Sequence, residues 1–489
     1  MYDEERWVNA WIEEDLDPNE SVHVIRMTYP GFSNQPSSAP SGFSTGSPSN
    51  TPTFTLTETP TVSTTSAPST VPTYFPSSKP STTPSIKPSE APSGKESETP
   101  TSAPSEAPLK NPTSTPSNTP SLDQSSTPTI IAQLDILKEI YDSTGGPTHW
   151  RANNWFQPGV HFCDFDRIYC VDDVVTEIRL EDMLLQGTIP TIIGMLSNLE
   201  YLTLEWNFDL VGTIPTTLGD LKNLQHLELD DTNLTGTLPS ELGLLENLRY
   251  LEIEDVNNLV GSIPTEFGQL SKMEEMYLYN NDNLVGSIPS EIGLLTSLEY
   301  LWLSENMKIT GPIPTEIGLL SSLKAFVVRG STLTGTIPTQ IFGLTSLLRL
   351  ELDDTNLSGT ISTLFGKLTS LQHLELDGTL LSGTIPSELG LLVDMVYLEI
   401  SSVPALQGSL PTEFGLMTKL EELYVYDLQE LAGTIPTELG SLSSLFELEL
   451  RGNSKMTGSL PSEFGKLQSL KYLKISDMDT ITGVIPSEM

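Results

Sequence analysis

The stretch Leu224–Gly236, LQHLELDDTNLTG, decides how this chain folds. Leu227 and Leu229 alternate with His226, Glu228 and Asp230, and a period of two belongs to a strand with one buried face. The leucines are therefore expected in a core and the polar side chains outside it. LELDDTNLTGTLP at Leu227–Pro239 returns as LELDDTNLSGTIS at Leu350–Ser362. The same frame extends further. GTIP begins at Gly187, Gly212, Gly335, Gly383 and Gly433, with GTLP at Gly236, GSIP at Gly261 and Gly286, GPIP at Gly311, GTIS at Gly359, GSLP at Gly408 and Gly458, and GVIP at Gly483. Successive glycines lie 24 or 25 residues apart. Self-similarity at that period implies a solenoid with one short strand per coil, since one coil cannot bury its leucines alone. The Gly permits a tight departure from the strand, and the Pro stops helix from running back into it. Segments of the type SELGLLENLRYL then supply a short helical turn on the opposite side.

The two cysteines, Cys163 and Cys170, precede this array. Their spacing alone fits unpaired core thiols, half a metal site or one small-loop disulfide. The repeat LxxLxLxxNxLxGxIP over residues 175–489 resembles the plant-type extracellular leucine-rich repeat proteins, receptor-like or polygalacturonase-inhibitor-like. That resemblance implies a right-handed α/β solenoid, a horseshoe or superhelix of about 13 repeats with a parallel β-sheet on its concave face. Residues 130–174, with YDSTGGPTHWRANNWF and then CDFDRIYC, are similar to that family's N-terminal cap, whose C-x-W-x-G-V-x-C stretch closes a disulfide. The resemblance thus implies a Cys163–Cys170 bond, with Phe165 in place of the Trp and Arg167 in place of the Gly. A helix over residues 130–142, with Leu134, Leu137, Ile140 and Tyr141 on one face, covers the first coil. At the family's asparagine-ladder position Asn207, Asn281, Asn306 and Asn453 are kept, whereas Thr232, Val256, Ser331, Thr355, Thr379, Val403, Leu428 and Met478 depart from it. Hydroxyls or packing must there replace buried amide bonds.

Composition bounds the partners. Against 24 basic residues stand 64 acidic ones, a formal charge of −40, and a chain with no basic groove is a poor match for nucleic acid. The start, MYDEERWVNAWIEEDLDPNE, has no apolar signal core, and no run of 18 apolar residues offers a membrane span. Residues 1–32 read as an acidic segment without fixed structure, and residues 33–129 as a disordered Ser/Thr/Pro-rich linker that cannot bury enough apolar surface to order itself. In the linker, Pro68 to Pro92 and then Pro100 to Pro120 recur every four residues, a density that favours polyproline II and a reach on the order of 300 Å. Two readings stand: an O-glycosylated, mucin-like stalk, or a neutral linker left by a slipped minisatellite. The cap, the stalk and the sequons at Asn233 and Asn356 all suit an extracellular or cell-surface location. VIPSEM ends halfway round a coil without a closing cap, so a fragment of a cell-surface or secreted protein is expected.

Stacking the coils turns the inner face into columns. One runs Arg179, Thr203, Glu228, Glu252, Tyr277, Trp302, Val327, Glu351, Glu375, Glu399, Tyr424, Glu449, Lys474; the next runs Glu181, Glu205, Asp230, Glu254, Tyr279, Ser304, Arg329, Asp353, Asp377, Ser401, Tyr426, Arg451, Ser476. Two acidic blocks result, the first deepened by Asp231 and Asp255, the second opened by the returning LELDDTNLSGTIS stretch with Asp354. Between them lies an aromatic strip of Tyr277, Tyr279, Tyr300 and Trp302, bordered by Arg329 and Arg349. Stacked like charges repel, a cost that folding does not require. A protein, peptide or glycan ligand, cationic in character, is the expected partner, with a co-receptor as a further one; a basic loop, an amine-bearing polymer or Ca²⁺ would each match the carboxylates, and sugars or a peptide anchor the rings.

No catalytic signature or cofactor motif stands out; every carboxylate has a near twin one coil away, and the Glu228–Glu252 adjacency recurs at Glu351–Glu375 and Glu375–Glu399. His226 and His373 are six coils apart, about 29 Å at strand spacing, so they cannot share a metal, and each reads as an ordinary exposed histidine. A noncatalytic recognition module is the expectation. A structural wall or adhesion protein is the alternative.

Overall fold

A computed structural model describes residues 25–26, 130–151, 154–478 and 480–482. The linker 33–129 lies outside them, as do residues 1–32 apart from Ile25–Arg26. The described part is a leucine-rich repeat solenoid. Its inner sheet has 15 strands, parallel throughout except at its two edges. At one edge Ile168–Val171 runs antiparallel to Val174–Arg179. At the other, Ile25–Arg26 runs antiparallel to Tyr472–Lys474.

Between these edges each coil contributes three paired residues, and the register keeps every column in line. Leu202 faces Leu227, Leu227 faces Leu251, and Leu350 faces Leu374. These central leucines are fully buried, as period-two alternation requires. A second, shorter ladder forms where the chain leaves the inner strand: Thr310–Gly311, Thr332–Thr336, Asn356–Thr360, Leu380–Thr384, Ala405–Gly408, Glu430–Thr434 and Lys455–Thr457 pair in a seven-stranded sheet. Glycines such as Gly335 sit there at φ +85°, where a side chain would be strained. The expected helical turn on the outer side is a five-residue 3₁₀ turn in each coil, for example Ser240–Leu244, entered through Pro239 at φ −66°. A turn this short lets neighbouring coils stack closely.

The N-terminal helix α1 spans Ile130–Ser143. Ile136, Leu137 and Ile140 are buried, Tyr141 is half-buried, and Leu134, expected on the same face, is exposed. The covered stripe is Gln133, Ile136, Leu137, Ile140, which follows i, i+3, i+4, i+7; Leu134 falls on its flank. Gln133 replaces an apolar residue there because its amide ties the helix to the sheet, accepting from Val175 N at 2.8 Å and donating to Asp173 O at 3.2 Å. Cys163 and Cys170 are joined in a disulfide, Cα to Cα 5.6 Å. Phe165 stacks on Trp155 at 5.1 Å between centroids, while Arg167 holds φ +70° and pairs with Glu181.

The four ladder asparagines are buried and bond between coils. Asn306 accepts from Asn281 N at 3.1 Å and donates to Leu278 O and Leu303 O at 2.5 and 2.8 Å. At the departing positions the hydroxyls of Thr232, Ser331, Thr355 and Thr379 donate only within their own coil, to the carbonyl three residues back, at 2.7 to 2.9 Å. Val256, Val403, Leu428 and Met478 fill the space by packing.

Candidate functional site

The inner sheet carries three outward columns. The register sets Thr203, Glu228, Glu252, Tyr277, Trp302, Val327, Glu351, Glu375, Glu399, Tyr424 and Glu449 in one line. Two residues on, backbone bonds such as Asp231 N to Glu254 O (3.1 Å) and Asp354 N to Asp377 O (3.0 Å) keep the second line in step. The third column, two residues earlier, was not singled out from sequence, although the same alternation contains it. It carries Tyr201, His226 and Tyr250, whose rings stack with centroids 3.9 and 4.1 Å apart. Arg179 lies over the Tyr201 ring at 4.3 Å. His226 and His373 are therefore half-buried rather than exposed: His226 lies between two rings, and His373 stacks on Tyr397 at 4.3 Å with Arg349 on its other side in the register. Each imidazole is bonded to the carboxylate two residues on, Glu228 or Glu375.

In the first acidic block Asp230 is 3% exposed and Glu228 9%, while Asp231, Glu252 and Glu254 are half-buried. Burial first, and neighbouring carboxylates second, push Asp230 up to about 8, Glu254 to about 9 and Glu252 to about 7. Glu205 rises to about 7 for the same reasons and shares a hydrogen bond with Asp230. Among the described residues no Lys or Arg is ion-paired to any of them. Asp231 and Asp255 play a second part. They hold φ +51° and +52° at the corner after the strand, as do Asn280, Asp354 and Asp427, and Asn and Asp tolerate that left-handed region best. Geometry of the turn thus accounts for them independently of any ligand.

The aromatic strip is continuous with this block. Tyr277 and Tyr279 lie 5.6 and 6.0 Å from the Trp302 ring, and Lys324 and Arg349 approach Tyr300 and Trp302 at 5.8 and 6.0 Å. Arg329 turns to Glu305 at 3.6 Å. The second block is better neutralised: Arg349 pairs with Glu351, whose side chain is 3% exposed, and His373 with Glu375. Burial nevertheless raises Asp353 to about 9 and Asp377 to about 7, with Glu375 and Glu399 adding repulsion. Tyr hydroxyls of Tyr397 and Tyr426 donate to Glu399 at 2.6 and 2.8 Å. These phenol partners were not anticipated, since nothing in an isolated strand says which hydroxyl reaches which carboxylate.

Six buried side-chain atoms have no hydrogen-bond partner among the described residues: Glu181 Oε2, Thr203 Oγ1, Asp230 Oδ1, Glu254 Oε2, Trp302 Nε1 and Asp353 Oδ1. All six belong to the two inner columns read from the sequence. Asn233 and Asn356 are exposed at the corner beyond the strand, away from these columns.

Residues 178–308 match the model of a leucine-rich repeat region and residues 370–392 that of a leucine-rich repeat. No curated protein sequence matches the chain. Among solved structures, the plant peptide hormone receptor RGFR1 in complex with RGF2 is similar at 29% identity, covering 63% of this chain and 55% of that one, with a TM-score of 0.52. The Arabidopsis receptor kinase HAESA ectodomain, in complex with an extended IDA peptide hormone, is similar at 25% identity, 71% and 64% coverage and TM-score 0.55. A Leptospira interrogans LRR protein shares 30% identity over 63% of this chain and 73% of that one, TM-score 0.51. The chain spans 55 to 64% of the length of the two plant ectodomains. With the repeat, the stacked inner sheet and these likenesses in agreement, the chain belongs to the leucine-rich repeat proteins, of the type found in plant extracellular receptors.

Proposed function

We propose that this protein is a noncatalytic recognition module that binds a cationic peptide or protein segment along its concave face, at the cell surface or outside the cell. The observation that carries this reading is the gathering of all six buried side-chain polar atoms that lack a partner among the described residues in two adjacent columns of one face. Folded proteins pair nearly all such atoms, so five unpaired oxygens and one unpaired indole N–H, that of Trp302, along one face await partners. The first block supplies carboxylates with no Lys or Arg paired to them among the described residues, and the rings from Tyr277 to Trp302 supply flat contact area at low entropy cost. An extended chain with Lys or Arg spaced to the coils would meet both. The similarity to ectodomains solved with peptide hormones supports a peptide over a glycan.

The test uses Asp230→Asn together with Glu254→Gln, which removes charge and keeps shape. The full chain is displayed against extracellular extract, and the captured ligand is identified by mass spectrometry. The proposal expects the double variant to lose the wild-type ligand while folding at least as stably. Equal capture by both proteins would leave the stalk and solenoid as scaffold, the structural reading.

A further inference from the structure

Beyond recognition, and independently of it, one point of the second acidic block has the construction of an inorganic site. Asp353, Glu375 and Asp377 each present a carboxylate oxygen, and the three oxygens lie within 4.8 Å of one another. Ligand oxygens around one calcium ion at 2.3–2.6 Å are at most about 5.2 Å apart, so this trio fits a single ion without rearrangement of the strands. Asp353 is 6% exposed, and its Oδ1 has no partner.

The partners of the neighbouring carboxylates show that this lack is local. Glu351 has Arg349, Glu375 has His373, and Glu399 has the hydroxyls of Tyr397, Ser401 and Tyr426. Among the described residues no side-chain donor is bonded to Asp353 or Asp377. The one guanidinium placed to serve Asp353, that of Arg329 one coil back in the same column, points instead to Glu305 at 3.6 Å. A buried carboxylate without a partner is costly to ionise unless a cation neutralises it.

We infer that Asp353, Glu375 and Asp377 bind a calcium ion between two adjacent coils of the concave face. The donors are all oxygen, which selects a hard cation. The open side of the groove leaves room for water to complete a six- to eight-fold shell. Two other groups of potential ligands are less suited. Cys163 of the His161, Cys163, Asp173 group is held in a disulfide. In the Glu351, His373, Glu375 group, the imidazole and both carboxylates already bond one another or Arg349. The first acidic block, for all its charge, brings no such trio together among the described residues. The sequence raises calcium held by carboxylates of neighbouring coils as one candidate but assigns it no residues, because the register aligns the columns without telling which carboxylates lack a side-chain donor.

The experiment is thermal unfolding of the full chain at neutral pH, stripped with chelator and then given millimolar calcium or magnesium chloride, paired with calcium titration calorimetry. Calcium is expected to raise the midpoint by about 2–4 °C with a one-site isotherm, and magnesium to raise it much less. Asp353→Asn with Asp377→Asn should abolish both the shift and the isotherm, and should itself fold, since it relieves repulsion. Asp230→Asn should keep both. An equal response to magnesium, a calcium response surviving in the Asp353→Asn, Asp377→Asn protein, or no response in the wild type would each overturn the site. Loss of peptide capture has no bearing on these readouts, so the two proposals fail separately.

Discussion

His226 and Tyr250 stack ring on ring, centroids 4.1 Å apart and planes 4° from parallel, while the same imidazole bonds Glu228 at 2.6 Å. On its other side lies Tyr201 at 3.9 Å. One side chain thus ties three coils together and supplies a buried carboxylate with its bond. Each ring pair contributes about 0.5–1.5 kcal/mol beyond area burial. His226→Ala should therefore lower unfolding stability by about 2–3 kcal/mol in denaturant titration, and His226→Phe, which keeps the rings but strands Glu228, by about half of that. Equal losses for the two variants would mean that the stack contributes nothing.

The buried carboxylates set a pH dependence whose sign is opposite to that of ordinary salt-bridged acids. Asp230, Glu252 and Glu254 hold folded values of about 8, 7 and 9, against about 4 when unfolded. A raised acid binds protons more tightly when folded, so its stabilising contribution is full below about pH 4 and is lost as pH rises through 7 to 9. The groups facing Asp230 are Glu205, Glu228, Glu252 and Glu254, with the imidazole of His226 bonded to Glu228 beside them. Unfolding midpoints should fall steadily from pH 5 to pH 9, and Asp230→Asn should flatten that slope, gaining on the order of 2 kcal/mol at pH 8 and nothing at pH 4. A wild-type curve rising over this range would contradict the assignment.

How far the sequence reached is set by what repeats. The strand register, the burial of Leu227 and Leu229 and the membership of both columns follow from a period of two nested in one of 24 or 25, so a single coil predicts its neighbours. Depth does not follow. Asp230 and Asp231 are adjacent and chemically identical, yet one is 3% exposed and the other sits half-buried on a left-handed corner. Only the packing of the adjacent coils separates them. The histidines were misplaced for a related reason, because an isolated His-Leu-Glu strand looks solvated until Tyr201 and Tyr250 are set on either side of it. Leu134, expected on the covered face, is exposed and Ile136 is buried there instead, because a short amphipathic helix can rotate by a fraction of a turn without changing its pattern.

The outer face makes a steric prediction. An added Cβ at Gly243 would lie 2.3 Å from Glu266 O in the next coil, whereas at Gly343 it would meet nothing within 4 Å. The first clash is with backbone, and relief means parting two coils. Gly243→Ala should cost about 2–3 kcal/mol, and Gly343→Ala should be neutral within about 0.5 kcal/mol. Hydrogen exchange localised to residues 240–270 would show the coils separating there rather than throughout.

The asparagine ladder gives a contrast within one position of the repeat. Asn306 serves Asn281 N, Leu278 O and Leu303 O, two of them in the preceding coil, but Thr355 serves Leu352 O in its own. Removing an interior amide leaves several backbone groups unpaired, each at about 1–3 kcal/mol, while losing one intracoil hydroxyl bond costs about 1 kcal/mol. Asn306→Ala should thus lower stability by about 3 kcal/mol or more and Thr355→Val by about 1 kcal/mol. Because solenoid stability is a sum of coil and interface terms, the Asn306 change should also split the unfolding transition, with the coils on either side melting apart. A single cooperative transition in both variants would mean that the hydroxyl coils couple to their neighbours as firmly as the amide coils do, and packing of Val256, Val403 and Leu428 would then be the dominant link between coils.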